Sequence, residues 1–314
     1  MKPLIIVAGP TAVGKSDISV LLAKKINGEI ISADSMQVYR GMDIGSAKIT
    51  KDEMQGIKHY LIDILDPCDE FSVATFQSFA KKAYEDVVSE NKVPILCGGT
   101  GFYVQSLLYD IDFSDSNGED REYREMLQKK IDTLGIDVVY DELLRIDPKA
   151  CETIHKNNTK RVIRALEFYH ETGEKISAHN EKERNKQSQY NFCYFALNDT
   201  RENIYNRIDL RVDKMIENGL VNEVKALKEA GYSINNVSMQ GLGYKEILLY
   251  LDGIISLDEA IYRIKRDSRH FAKRQLTWFN REKEVIFINK QDFNYDNEKI
   301  LDYMISCIKN KGII

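Results

Sequence analysis

The sequence predicts an α/β fold: a parallel sheet flanked by helices and interrupted by an all-helical insertion. Three observations predict it. The stretch "GPTAVGKS" (9–16) fits G-x-x-x-x-G-K-S/T without mismatch, between an apolar run and a helical pattern. Short apolar runs alternate with amphipathic patterns as far as Gly99, the order of a parallel sheet buried on both faces. Strand signals then vanish from about Asn117 to Gln189 and return at "NFCYFAL" (191–197). Together they read as a P-loop NTPase-like core, 1–115 and 191–314, with a helical insertion domain at 116–190.

The elements follow in order. "LIIVAG" (4–9) is a strand, and Asp17 to Ile26 a helix with Ile18, Leu21, Leu22 and Ile26 at helical spacing. "EIISAD" (29–34) and "YLIDIL" (60–65) are strands; "SVATFQSFAKKAYEDVV" (72–88) is a helix with Val73, Phe76, Phe79, Ala80 and Tyr84 on one stripe. "VPILCGG" (93–99) is the next strand. The insertion reads as helices, two of them closed by Gly135 and Gly173. After the returning strand come helices to about Arg281, one long from about Leu257, then a strand "VIFIN" (285–289) and a helix over 297–309.

Composition excludes several classes. With 314 residues, 43% hydrophobic and 30% charged, the chain is globular and can bury a sizeable core. A formal net charge of −5 gives no global basic field, so a nucleic-acid partner must be sought in local patches. Cys68, Cys97, Cys151, Cys193 and Cys307 are scattered without C-x-x-C, as expected of reduced thiols in a cytoplasmic protein. The first apolar run is short and ends in the glycine loop, so it reads as a buried strand, not a signal peptide. No run approaches the roughly 18 apolar residues of a membrane span. The histidines show no metal-ligand spacing.

The chemistry sits in five places. In the phosphate loop, Gly9, Pro10, Thr11, Ala12, Val13, Gly14, Lys15 and Ser16 turn backbone N–H groups, a lysine and a helix N-terminus toward bound phosphates, and the Ser16 hydroxyl suits Mg²⁺. A hydrolase of this class has an apolar strand ending in an acid that supports Mg²⁺. Here "VPILC" ends in Cys97-Gly98-Gly99, so the motif implies only a polyphosphate. Asp34 follows the second strand at the ligand-binding edge; it reads either as a catalytic acid or as the cap of the next turn. The long polar loop "SMQVYRGMDIGSAK" (35–48) offers Ser35 and Gln37 to a base edge and Arg40 and Lys48 to phosphates, unless it is an ordinary surface loop. "GGTGFY" (98–103) is a second glycine turn that lets backbone approach a ligand, with Thr100 as donor.

Basic charge appears late. "RIKRDSRHFAKRQLTWFNR" (263–281) places Arg266, Arg269 and Lys273 on one face and interleaves Gln275, Thr277 and Trp278. That suits a nucleic-acid backbone and stacked bases; a solvated basic face is the plain alternative. Lys160, Arg161 and Arg164 form a second basic helix start. Arg207 and Arg211, four residues apart, can clamp an anionic leaving group.

The assembled motifs resemble the tRNA dimethylallyltransferase (tRNA isopentenyltransferase) family. "GPTAVGKS", "DSMQVYRGMDIGSAK", "HYLIDI", "GGTGFY", "KRVIRALE", "RVDKMIENGLVNEV", "GLGYKE" and "AKRQLTWF" run in family order from residue 4 to about 281. Lys58 and Asn280 depart from common family residues, a histidine and an arginine. The resemblance implies that the loop holds the diphosphate of dimethylallyl diphosphate. The acceptor is then the N6 amine of adenosine 37 in a tRNA anticodon stem-loop gripped between core and insertion. It further implies Asp34 as base, Arg211 at the diphosphate, Mg²⁺ as cofactor and a monomer. Contacts to tRNA fall to Asp34, Ser35, Met36, Gln37, Thr100, Arg124, Lys160, Arg161, Arg164, Gln240, Gly241, Gly243, Tyr244, Lys245, Lys273, Arg274, Gln275, Thr277 and Trp278. Two rivals remain at this level: a kinase or isopentenyltransferase of small molecules, and an RNA-binding ATPase without transfer chemistry.

Overall fold

The computed structural model describes residues 2–113 and 121–314. The chain divides into two compact units, Met1–Leu108 with Gln189–Ile314, and Tyr109–Ser188. The expected boundary at 115/116 lies outside the described residues.

The first unit is built on six parallel strands, β1 (Lys2–Ala8), β2 (Gly28–Ser32), β3 (His59–Tyr60), β4 (Val93–Gly98), β5 (Tyr190–Asn198) and β6 (Val285–Asn289). They lie in the order β3-β2-β4-β1-β5-β6. Every residue from Leu4 to Ala8 is fully buried, because β1 has a neighbour on each side (Val7 pairs Cys97 and Phe195) and helices over its faces. Continuous apolar strands are what such burial demands.

Helices α1 (Lys15–Ile26), α2 (Lys51–Met54), α3 (Val73–Ser89) and α4 (Gly101–Leu108) precede the second unit. That unit holds α5 (Arg121–Leu134), α6 (Ile136–Ile146), α7 (Pro148–Cys151), α8 (Thr159–Thr172) and α9 (Ile176–Arg184). The chain returns with α10 (Arg201–Glu217), α11 (Leu220–Glu229), α12 (Tyr244–Leu251), α13 (Leu257–Phe279) and α14 (Asn297–Asn310). Leu22 and Ile18 of α1 and Leu301 and Met304 of α14 share a core with Ile5, Val7, Ile95 and Phe195. Val38, Tyr39 and Met42 of the 35–48 loop are buried in a separate core with α10 to α13. That loop is therefore fixed by its own apolar residues. The second unit packs Leu127, Val139, Leu143, Val162 and Leu166 together. Among the described residues no helix is long and apolar enough to cross a membrane.

The third strand differs from expectation. Only His59 and Tyr60 pair with β2, instead of the whole of 60–65. Leu61 (φ 65°) and Asp63 (φ 55°) take left-handed backbone and turn the chain out of the sheet. Its N–H groups then bond the polar loop: Asp63 N–H to the Gln37 carbonyl (3.2 Å) and Ile64 N–H to that of Val38 (2.9 Å). Gly173 closes α8 in left-handed backbone, and Gly135 (φ 87°) closes α5, its N–H bonding the Ile131 carbonyl (2.8 Å), while also standing at the start of α6.

Candidate active site and basic helix

The phosphate loop joins β1 to α1. Gly9 has φ 143°, and a Cβ there would stand 2.5 Å from the Leu197 carbonyl oxygen of β5, so only glycine fits. Lys15 folds back to donate to the Pro10 carbonyl (2.8 Å). Burial pushes its ammonium pKa down to about 8, with Arg211 adding to that effect and Cys97 and Asp34 opposing it.

The two arginines of α10 have separate tasks. Arg207 donates to the Ala12 carbonyl (2.9 Å) and to buried Asp199 (2.5 Å), so it is spent on holding the loop, where Ala12 sits at φ 63°. Arg211 reaches the Thr11 hydroxyl (3.3 Å). Burial opposes its charge, while Asp17, Asp34 and Glu53 favour it. The expected pair clamp thus becomes one structural and one rim arginine.

Asp34 lies two residues past β2, within electrostatic reach of both Lys15 and Arg211. Its Oδ1 accepts from the backbone N–H groups of Met36 (2.8 Å) and Gln37 (3.2 Å). Both readings of Asp34 are therefore compatible: one oxygen caps the turn, and the other makes no hydrogen bond among the described residues. Of its neighbours, Gln37 donates to the Ala47 carbonyl (3.3 Å), and Met36 packs on Gly241. Lys48, only 6% exposed, is bound to Asp43 (2.6 Å) and Asp63 (2.5 Å), and Arg40 to Asp66 (2.8 Å). Lys48 is thus spent inside the loop, whereas Arg40, with a surface partner in Asp66, stays exposed.

Glu223, on α11, was not legible as a functional residue from the sequence. Its carboxylate accepts from the N–H groups of Asp43 (3.0 Å), Ile44 (2.7 Å) and Gly45 (3.1 Å) and from the Tyr244 hydroxyl (2.8 Å). No local pattern signals such a contact; only the long separation closed by the fold creates it. Glu223→Gln replaces one acceptor oxygen by a donor facing N–H groups, at a cost of about 1–3 kcal/mol. Amides 43–45 are expected to exchange with solvent about tenfold faster or more in this variant; unchanged protection would show that the loop is held elsewhere.

The second glycine turn has a packing role. A Cβ on Gly99 would meet Gln275 Nε2 at 2.2 Å, and one on Gly101 the Trp278 ring at 2.2 Å. These glycines admit α13, not a ligand. Gln275, only 6% exposed, accepts from Thr11 N–H (2.8 Å) and donates to the Gly99 carbonyl (2.9 Å), tying the phosphate loop to the second turn. Thr100, in the second turn, is partly exposed.

The expected tRNA contacts divide accordingly. Lys273, Arg274, Thr277 and Trp278 line an open groove on α13 with His270 and Arg281. Arg269 is paired with Asp209 (2.5 Å) and Arg266 with Asp267 (2.8 Å), so the proposed three-cation face contracts. Gln275 and Tyr244 are corrections: the first is the buried tie just described. The second is fully buried, its ring against Gly45 and its hydroxyl on Glu223, which leaves no surface for RNA. Gly243 (φ 95°) begins α12, Gln240 is exposed, and Lys245 lies near Glu246 (3.4 Å). In the second unit, Lys160 and Arg161 are exposed on the first turn of α8. Arg164 lies 3.9 Å from both Glu167 and Glu171, and Arg124 grips buried Glu167 through two bonds (2.5 and 2.9 Å). Arg124 thus has a structural partner already.

Among the described residues there is no group of three or more His, Cys, Asp or Glu arranged to hold a metal. Ser16 is exposed in the first turn of α1. That donor set fits a Mg²⁺ held mainly by phosphate oxygens and water, with one protein hydroxyl, and does not fit a protein-only cage.

Residues 37–282 match the family model described as IPP transferase. The chain is 56% identical over 314 residues to the tRNA dimethylallyltransferase of Lachnoclostridium phytofermentans, covering all of both chains. It is similar to the solved full-length tRNA isopentenylpyrophosphate transferase of Bacillus halodurans: TM-score 0.74, 43% identity, 99% of this chain and 98% of that one. A eukaryotic dimethylallyltransferase solved acting on tRNA matches at TM-score 0.79 and 32% identity, over 92% of this chain and 74% of that one. With its phosphate loop, polar loop and basic helix spanned by such full-length likeness, the chain belongs to the IPP transferase family.

Proposed function

We propose that this protein transfers a dimethylallyl group to tRNA. The donor is dimethylallyl diphosphate, the acceptor the N6 amine of adenosine 37 in the anticodon stem-loop, and the products N6-dimethylallyladenosine and pyrophosphate. The observation that carries the reading is the polarity of one site. Lys15 and Arg211 stand at the phosphate loop, and Asp34 opens the polar loop within electrostatic reach of both. N6 forms a bond to C1 of the allyl group as the C1–O bond breaks and its electrons leave with the diphosphate. The proton lost by N6 goes to Asp34. Cations on the leaving group and an acid on the amine match that charge flow. Bound Mg²⁺ would add charge neutralisation on the diphosphate, with Ser16 as its protein ligand.

RNA binding rests on the exposed basic residues of α13 and α8. Replacing Lys273 and Arg274 by Gln is expected to weaken tRNA binding and to flatten its log–log salt dependence by roughly 0.7–0.9 per lost phosphate contact, leaving donor binding unchanged. An unchanged slope would make that helix a solvated face.

Labelled dimethylallyl diphosphate mixed with bulk tRNA tests the whole reading. Label in a single modified adenosine at position 37 supports it. Label only in a small adenine nucleotide, or ATP hydrolysis without transfer, would favour the small-molecule or ATPase alternatives.

A further inference from the structure

The family match ends at residue 282, yet the last strand brings one more cation to the phosphate loop. Lys290 follows β6 at the same carboxyl edge of the sheet from which that loop emerges. Its Nζ stands 3.4 Å from where a Gly14 Cβ would be, beside the glycine that opens α1. Two carboxylates lie near it: Asp17, whose Oδ2 stands 3.9 Å from the same Gly14 Cβ position without an ion pair to Lys290 within 4.0 Å, and Asp199, which is committed elsewhere. Asp199 is bound to Arg207 (2.5 Å) and accepts from Asn203 (3.1 Å) and the Tyr295 hydroxyl (3.1 Å). No ion pair within 4.0 Å or hydrogen bond engages the Lys290 ammonium among the described residues. Half-burial pushes its pKa down and Arg207 adds to this, while Asp199 and Asp17 oppose it. A partly desolvated ammonium without a counter-ion is held at a cost, and a phosphate anion removes that cost.

We propose that Lys290 is a third cation for the diphosphate, placed with Lys15 and Arg211 to hold the donor and the departing pyrophosphate at the Gly14 side of the loop. This rests on the phosphate loop being the donor site, as proposed above. Three positive groups then face an anion of about three negative charges, and the long lysine stem lets the ammonium follow the diphosphate as it leaves.

The test measures donor KM, inhibition by inorganic pyrophosphate and tRNA KM in Lys290→Gln, Lys290→Arg and Lys15→Ala. Loss of a charge-assisted contact in Lys290→Gln is expected to raise donor KM and the pyrophosphate inhibition constant about tenfold, with tRNA KM unchanged. Lys290→Arg, which keeps the charge, is expected to stay within about threefold of wild type on the same scale. If Lys15→Ala shifts both constants and Lys290→Gln shifts neither, Lys290 has no part in diphosphate binding. A rise in tRNA KM parallel to donor KM would mark general damage and likewise overturn the assignment. If neither Lys15→Ala nor Lys290→Gln changes them, the donor-site reading itself fails.

Discussion

Asp34→Asn is expected to lower kcat by about 10²–10⁴ while tRNA and donor still bind, the usual span for losing a general base. The substitution is nearly isosteric. Oδ1 accepts from two backbone N–H groups, those of Met36 and Gln37, so the asparagine carbonyl must take that place and its amide nitrogen must take the other. The turn therefore survives, and the oxygen offered to substrate becomes a donor that cannot take a proton. An adenine amine is a poor nucleophile because its lone pair is delocalised into the ring, and it becomes acidic only as the N–C bond forms. The target base must also leave its stack to reach such a site. Loss of the acceptor thus falls on the chemical step. Single-turnover transfer at saturating tRNA and donor measures it; a rate within about threefold of wild type would leave Asp34 only its capping role.

Lys15→Ala is expected to raise donor KM and lower kcat together, by a combined factor of about 10²–10³, the range for removing one donor from a developing anion. Charge on the diphosphate grows as C–O cleavage proceeds, so the lost ammonium is missed more in the transition state than before it. Arg211→Ala is expected to act in the same direction. The pH dependence follows from burial. Lys15 titrates near 8 in the donor-free protein, so kcat/KM for donor is expected to fall as pH rises through about 8. That limb should vanish in Lys15→Ala. The stability term has the opposite sign. Because the folded pKa lies below the unfolded value of 10.5, the buried ammonium burdens the fold below about 8, and this is relieved as pH rises toward 10.5.

Much of this was legible in the sequence because strong local patterns carried it. The buried strand that runs into the phosphate loop announces itself by uninterrupted Leu, Ile and Val over residues 4–7, and the glycine–lysine spacing fixes the loop's geometry. What escaped was set by distant contacts. "YLIDIL" alternates well enough for a strand, but left-handed turns at Leu61 and Asp63 send it to the polar loop. The glycines of "GGTG" read as ligand clearance, whereas a tryptophan and a glutamine of α13 fill the space they leave. Charge was the least legible property. Arg207, Lys48 and Arg269 look alike as free cations in a string of letters, and each is spent on a carboxylate: buried Asp199, Asp63 of the turn after β3, and Asp209 of α10.

The central claim is that the phosphate loop cradles a leaving group and that no phosphorus is attacked. A donor carrying ¹⁸O only at the bridge between C1 and phosphorus, turned over once with tRNA, tests this most directly. Cleavage of the C1–O bond places all of the ¹⁸O in released pyrophosphate, the expected result. Appearance of the ¹⁸O in dimethylallyl alcohol would mean that the P–O bond breaks, and would contradict the claim.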